Sequence, residues 1–232
     1  NGFLYVLDRT NGALISAKAY GKVNWASHVD MKTGRPVETE IAKSIRSGKP
    51  TEHWPSTRGA KNWEAAAFNP QTGLLYANTL NEGRMYQHLE TKPFVVGQRY
   101  MFIENLPLPR AAGEPIGHIE AIDPLTAEKK WRVPVTDFQM WSAMLATGGG
   151  LLFTGKETGE FIAIDADTGK QLWQFQTGSG INAMPVTYTL NGRQYVTVLS
   201  GIGGLYWNIA REQLKDKVPQ GGSVWTFALM PD

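Results

Sequence analysis

An all-β fold made of repeated four-stranded sheets is predicted by three observations. The segments Gly117–Trp131 and Gly159–Trp173 align without a gap at a spacing of 42 residues. Each segment carries one Asp-x-x-Thr turn and one tryptophan. The chain has 25 Gly and 13 Pro but only 19% charged residues, as expected for many short strands joined by turns. A period of about 40 residues with these features is typical of a β-propeller.

Related turns occur at five places in the chain, each headed by Asp or Asn and most followed by Thr-Gly. A side-chain oxygen at the head of such a turn accepts hydrogen bonds from backbone N–H groups, and Gly takes the left-handed position. We therefore predict that these carboxylates are turn caps rather than catalytic acids or bases. The turns are headed by Asp8, Asp30, Asn69, Asp123 and Asp165.

The repeated tryptophans, Trp131 and Trp173, are predicted to be structural. Burying one indole removes about 150–250 Å² from water, which is about 4–6 kcal/mol as an upper bound. One such residue in each repeat would hold neighbouring sheets together. A second internal match, between Trp141–Met144 and Ile181–Met184, follows the repeated tryptophans at a similar spacing.

Three segments depart from the repeat. Residues 41–47 and 208–217 have short helical patterns, the second with polar residues on most faces, and residues 86–115 are interpreted as an inserted loop. At about 40 to 45 residues for each four-stranded sheet, or blade, the 232 residues less the insertions make about four to five blades, whereas most closed propellers have six to eight. We expect residues 1–232 to form one partial propeller domain, completed by an upstream segment, another chain or a second copy.

Composition excludes several classes of partner and site. The net charge is +2, with no long block of like charges that would indicate nucleic acid or a membrane surface. No apolar run approaches the roughly 18 residues that span a bilayer. The chain has no cysteine, and its four histidines are dispersed without ligand spacing, so no metal site is predicted on this chain. The histidines are His28, His53, His88 and His118.

Several motifs, in this order, resemble the carboxyl-terminal half of the pyrroloquinoline-quinone-dependent (quinoprotein) alcohol dehydrogenases, the methanol and ethanol dehydrogenase family. The resemblance runs from Asn1 to about Leu229. The motifs are Phe3–Ala17, Asn62-Trp63 with Asn69–Tyr76, Trp141 with Leu145–Phe153, and Tyr195–Gly204.

The resemblance implies an eight-bladed propeller that oxidises primary alcohols to aldehydes in the bacterial periplasm. It implies pyrroloquinoline quinone near the central axis, a Ca²⁺ or lanthanide ion beside it, and a c-type cytochrome as electron acceptor. In this family the catalytic aspartate and the metal ligands precede the segment that this chain resembles. We therefore expect the isolated chain to be inactive, because a general base and a metal are both required.

Six residues match cofactor contacts of the family. Arg9 matches the basic residue at the quinone carbonyls, where a permanently charged guanidinium stabilises the negative charge of the reduced ring. Asn62 matches an amide that hydrogen-bonds the cofactor, with Trp63 beside it. Trp141 matches a neighbouring tryptophan. The remaining matches are Gly204, which allows close backbone approach, and Leu205, at a pocket-wall or backbone-contact position.

The local sequence alone supports other interpretations of these residues. Arg9 would be a turn arginine in water, and Asn62 with Trp63 would be a cap and a core residue.

Leu205 stands where the methanol-oxidising pattern has Trp, so the sequence is more similar to the branch acting on ethanol and larger alcohols.

Two alternatives to the enzyme remain open. One is a non-catalytic propeller scaffold that binds a protein partner through its face and the segment 86–115. The other is an inactive truncated fragment that is held together by self-association.

Overall fold

The computed structural model of the protein describes residues 1–98 and 100–229, except for the side chains of Leu205, Tyr206 and Ile209. Within these residues, eighteen strands and two helices occur. The first half of the chain contains β1 (Phe3–Leu7), β2 (Leu14–Ala19), β3 (Ala26–Val29), β4 (Pro36–Glu38), α1 (Glu40–Arg46), β5 (Thr51–His53), β6 (Ala67–Asn69), β7 (Leu74–Leu80), β8 (Arg84–His88) and β9 (Ile103–Pro107). The second half contains β10 (Gly117–Ile122), β11 (Lys129–Val135), β12 (Leu145–Ala146), β13 (Leu151–Gly155), β14 (Glu160–Asp165), β15 (Gln171–Gln176), β16 (Val186–Leu190), β17 (Arg193–Ser200), α2 (Gly204–Leu214) and β18 (Ser223–Ala228).

The chain divides into two compact units. The first comprises Asn1–Asn62, Leu80–Glu114 and Leu125–Ala127. It holds two hairpins, β1-β2 and β3-β4, and a three-stranded sheet of order β5-β8-β9. The pairings reported for these sheets are antiparallel.

The second unit comprises Trp63–Thr79, Pro115–Pro124 and the chain from Glu128 onward. It holds two four-stranded sheets, of order β11-β10-β7-β6 and β12-β13-β14-β15, and a three-stranded sheet of order β16-β17-β18. Its largest buried cluster is made of apolar side chains from the two four-stranded sheets and from the segments that precede β12 and follow β14. The cluster contains Tyr76, Ile119, Ala121, Met140, Met144, Leu152, Ile162, Ile164 and Ala166.

The turn caps have the predicted geometry. The Asp8 carboxylate accepts hydrogen bonds from the N–H and hydroxyl of Thr10 at 2.8 and 2.6 Å. Asp165 does the same with Thr168, at 2.8 and 2.7 Å. These hydrogen bonds lower the pKa of both carboxyl groups, the hydroxyl of the threonine having the largest effect. In the Asp123 turn the left-handed position is held by Ala127, at φ 61°, instead of Gly.

Three sequence predictions are refined. The first helix lies at Glu40–Arg46, almost where it was predicted. The second runs from Gly204 to Leu214, so it begins four residues earlier than predicted, and its buried Ala210 and Leu214 give it an apolar face that was missed. The segment 86–115 is a loop only in part, because β8 extends into it and β9 lies within it.

Candidate functional site

Arg9 lies in the turn between β1 and β2, in the first unit, and its side chain is exposed. Among the ion pairs of the described residues, none involves Arg9. The neighbouring Asp8 carboxylate is engaged with Thr10. The structure of this chain alone thus has the turn arginine in water that the local sequence suggests, and the cofactor contact stays a prediction.

Asn62 lies in an irregular segment of the same unit and is half-buried. Its side-chain Nδ2 donates a hydrogen bond to the carbonyl of Arg58 at 2.9 Å. The Lys61 Nζ donates in turn to the carbonyl of Asn62 at 3.1 Å. The amide therefore helps to fix the loop that carries it, and the backbone around it is held by its neighbours.

Trp63 and Trp141 are brought together in the second unit. Their ring centroids lie 4.4 Å apart with the planes inclined at 44°. Trp141 is buried, with 2% of its surface exposed, whereas Trp63 is 59% exposed. The pair thus has a buried inner ring and an outer residue that is largely exposed.

Helix α2 packs against the inner ring of this pair. Trp141, Ile202, Ala210, Leu214 and Val218 form one buried cluster. The helix begins at Gly204, whose φ of 58° is a left-handed conformation that other residues adopt only with strain. Gly204 is exposed at this helix start. The side chain of Leu205, the sixth predicted contact, lies outside the described residues.

A buried carboxyl group adjoins Trp141. Glu157, in the turn between β13 and β14, has 1% of its surface exposed, and its Oε1 accepts a hydrogen bond from the backbone N–H of Trp141. Burial raises the pKa of the Glu157 carboxyl well above its usual range, and the nearby carboxyl groups of Glu64 and Glu160 raise it further. Glu64 is itself buried, at 3% exposure.

A cavity of about 200 Å³ lies beside Glu157 in the second unit. Its lining includes apolar side chains of β10, β11 and β14, among them Ile119, Val133 and Ile162. It also includes the ionisable side chains of Asp137, Lys156, Glu157 and Glu160. The buried carboxyl group of Glu157 thus borders a cavity with both apolar and ionisable residues in its lining.

The described residues form neither a metal-binding cluster nor a membrane-spanning helix. Within residues 1–98 and 100–229, no group of three or more His, Asp or Glu side chains is arranged to hold a metal ion. Neither α1 nor α2, the helices of the described chain, has the length and apolar character needed to cross a bilayer.

Of the six predicted contacts, the second unit joins Trp63 and Trp141 directly and adds the helix that begins at Gly204. Arg9 and Asn62 belong to the first unit. Sequence reasoning missed Glu64, which follows Trp63 in a loop, and Glu157, which lies in a polar turn. No local pattern marks them: their burial is determined by residues distant in the sequence.

The comparisons with known proteins first identify a class. A family model described as "PQQ: Glucose/ethanol/alcohol dehydrogenase, beta-propeller domain" matches residues 90–196. This match, with the relatives and solved structures described below, confirms the predicted resemblance to quinoprotein alcohol dehydrogenases. The same findings confirm the β-propeller fold class.

Particular relatives extend the similarity to the whole chain. A quinoprotein ethanol dehydrogenase from Pseudomonas putida is 39% identical over 242 residues, which cover 99% of this chain and 38% of that protein. A europium-containing methanol dehydrogenase structure matches with a TM-score of 0.85 and 33% identity, covering 99% of this chain and 43% of that one.

A third match is the quinohemoprotein alcohol dehydrogenase structure from Comamonas testosteroni. It has a TM-score of 0.80 and 35% identity, over 100% of this chain and 36% of that one. The chain therefore spans less than half the length of each of these three relatives.

Proposed function

We propose that this chain is the cofactor-contacting part of a quinoprotein alcohol dehydrogenase that oxidises primary alcohols to aldehydes. The observation that carries the proposal is the similarity, over 99% of the chain, to a protein named quinoprotein ethanol dehydrogenase. Arg9, Asn62, Trp63, Trp141 and Gly204 are proposed to contact pyrroloquinoline quinone, with Leu205 at the wall of the substrate pocket.

The tryptophan pair fits a planar aromatic ligand. Trp63 has an accessible ring, and Trp141 packs behind it at 4.4 Å between centroids. Aromatic rings stack with an offset or at an angle, and a pair already in contact adds a flat apolar surface without further ordering. This surface supports a ring-shaped cofactor better than it supports a flexible chain.

Pyrroloquinoline quinone, when bound, supplies the two-electron acceptor for alcohol oxidation. The role of this chain is to bind and orient it. The guanidinium of Arg9 cannot lose its proton and so balances negative charge at the quinone oxygens. The amide of Asn62 adds a directional hydrogen bond. The left-handed Gly204 lets the backbone approach closely.

The rest of the enzyme is proposed to come from a further propeller segment, on the same chain, another chain or a second copy. An exposed apolar face on the β16-β17-β18 sheet supports this, since large exposed apolar patches commonly mark surfaces that pack against a partner. Its residues include Val186, Tyr188, Leu190, Leu199 and Val224.

The remaining features follow the relatives. The general base and the ligands of a Ca²⁺ or lanthanide ion would lie in that further segment. Some relatives are quinohemoproteins, which supports a c-type cytochrome as electron acceptor. A periplasmic location and a preference for ethanol or larger alcohols over methanol complete the proposal.

The proposal is tested by titrating the purified chain with pyrroloquinoline quinone while following tryptophan fluorescence and the quinone absorption band. We expect saturable quenching. Arg9→Ala should weaken affinity by roughly 10- to 100-fold, since a hydrogen bond involving a charged group contributes about 1.5–3 kcal/mol. Asn62→Ala should weaken it by about 2- to 10-fold, since a neutral hydrogen bond contributes about 0.5–1.5 kcal/mol.

Matched controls are Arg35→Ala, an exposed arginine beside another Asx turn, and Asn105→Ala, an exposed amide on β9. Both should bind as the unaltered chain does. Absence of saturable quenching by the unaltered chain contradicts the proposal. Equal affinity of the Arg9 and Asn62 variants to their controls would show that the contacts are assigned to the wrong residues and would favour a scaffold.

A further inference from the structure

Glu157 is one of the most deeply buried carboxyl groups of the second unit and lies beside the tryptophan pair. It lies in a tight turn between two strands, yet its side chain points inward, with 1% of the residue exposed. Burying an ionisable group costs free energy unless the group is hydrogen-bonded, paired with an opposite charge or neutral. The role proposed above for this chain makes no use of it.

The hydrogen bond that Glu157 accepts takes the place of a backbone hydrogen bond that a strand would give Trp141. Trp141 lies between β11 and β12, outside any strand. A buried backbone N–H must find an acceptor, and that of Trp141 is met by Oε1 of Glu157. Nearby, the N–H of Met144 donates to the carbonyl of Ala65 at 2.9 Å. The Glu157 side chain thus helps to hold the backbone of the segment that carries Trp141.

The surroundings of Glu157 determine whether its carboxyl group is neutral or ionised when it accepts the hydrogen bond from Trp141. Burial has the largest effect and raises the pKa of its carboxyl group, the hydrogen bond from the Trp141 N–H lowers that pKa, and Glu64 and Glu160 raise it further. Asp137 and Lys156 line the cavity beside it, so the facing groups comprise three carboxyl groups and one amine. The neutral acid keeps a carbonyl oxygen for Trp141 without placing a second negative charge in the interior.

We propose that Glu157 is a positioning residue, which holds Trp141 against Trp63 so that the pair presents one fixed aromatic surface to the cofactor. This inference rests on the proposed function for the identity of the ligand. Glu157 touches the backbone of Trp141 and not a reacting atom, so its effect is on binding and on the order of the ring pair.

A pH dependence follows from this role. The folded state retains a proton on Glu157 that the unfolded chain releases above the usual carboxyl pKa of 4.5. Between that pKa and the raised folded pKa, the native state binds more protons, so stability falls as pH rises. Ionisation of Glu157 beside Glu64 should loosen the Trp141 segment over the same interval.

The test compares Glu157→Gln, Glu157→Ala and the control Glu160→Gln from about pH 5 to about pH 9. Near-ultraviolet circular dichroism reports the order of the tryptophan pair, and quinone titration reports affinity. Glu157→Gln keeps the accepting oxygen but cannot ionise. We expect it to match the unaltered chain at low pH and to lose the pH dependence of both signals.

Glu157→Ala should lose part of the tryptophan dichroism and weaken quinone affinity by about tenfold or more. Glu160→Gln should leave both signals unchanged at low pH and move their pH dependence to lower pH, because it removes a carboxyl group that raises the pKa of Glu157. Unchanged dichroism and affinity in Glu157→Ala overturn the proposal. If Glu157→Ala does not fold, identical pH profiles of Glu157→Gln and the unaltered chain overturn it. If the unaltered chain binds no quinone, the proposed function fails, and the dichroism still decides whether Glu157 positions Trp141.

Discussion

Trp131 and Trp173 occupy the same position in two copies of one repeat, but they have different surroundings. Trp131 donates its indole N–H to the carbonyl of Ala166 at 2.8 Å, and its ring lies over Gly169. Both partners belong to the turn that joins β14 to β15. The tryptophan of one sheet is thus held by the Asp165 turn of the next.

For Trp173, the following sheet has no tight turn at the corresponding position. In the following sheet, the connection between β17 and β18 is not a tight turn but the segment 201–222 that contains α2. Trp173 is 38% exposed and packs edge-on against Phe227 at 5.1 Å. It contributes to an aromatic cluster with Phe161 and Phe175.

The difference separates the scaffold from the site. Where the repeat is kept, its residues serve packing between sheets. Where the turn is replaced, the inserted helix instead covers Trp141, one of the proposed cofactor contacts. The repeat therefore builds the frame, and the departures from it build the surface that could hold a ligand.

The largest effect that distinguishes the two copies should come from removing the indoles. Trp131→Ala should destabilise the chain by about 3–4 kcal/mol, because it removes a large side chain and leaves the buried Ala166 carbonyl without its donor. Trp173→Ala should cost about 1–2 kcal/mol, since much of that ring is already in water. Denaturant unfolding of both variants measures the difference, and equal costs would show that Trp131 has no special docking role.

Much of the frame was readable from the sequence. The aligned segments Gly117–Trp131 and Gly159–Trp173 predicted the β10-β11 and β14-β15 hairpins because the same turn recurs at the same distance from the same tryptophan. The helix at Glu40–Arg46 was also predicted. Periodicity succeeds here because each feature depends on residues that are close in the chain.

The candidate site was readable only in part. Trp63 and Trp141 were proposed by resemblance, but the sequence did not indicate that their rings are in contact or that α2 packs against one of them. Glu157 was missed because it lies in a short polar turn and its burial depends on Trp141 and Glu64, far from it in sequence. Contacts between distant segments leave no period to detect.

A second prediction concerns the glycine beneath Trp131. A Cβ at Gly169 would lie 2.7 Å from the Trp131 ring, whereas one at Gly12, the same position in the first copy, would meet nothing within 4 Å. Both have positive φ, so Gly→Ala costs about 1–2 kcal/mol of backbone strain at each.

Gly169→Ala should cost about 1–2 kcal/mol more than Gly12→Ala, because the ring must shift or the docking contact must open. Urea midpoints of the two variants give the comparison. An equal loss at the two sites would mean that the Trp131 ring can move aside freely.

The smallest effect is expected at Ala127, a non-glycine residue in the left-handed position of the Asp123 turn. It has φ 61° where the corresponding residues, Gly12 and Gly169, are glycines. Ala127→Gly removes about 1–2 kcal/mol of left-handed strain but loses a buried methyl group and adds freedom to the unfolded chain, so the net change should lie within about 0.5 kcal/mol of zero.

Ala121→Gly is the matched control, because it deletes a buried methyl group from the middle of β10, where no left-handed strain exists. That variant should lose about 1–2 kcal/mol. The difference between the two free energies of unfolding isolates the strain at Ala127. Should both variants lose the same stability, the alanine turn would be as relaxed as the glycine turns, and the Asp123 copy would have adapted to its substitution by a change elsewhere in the turn.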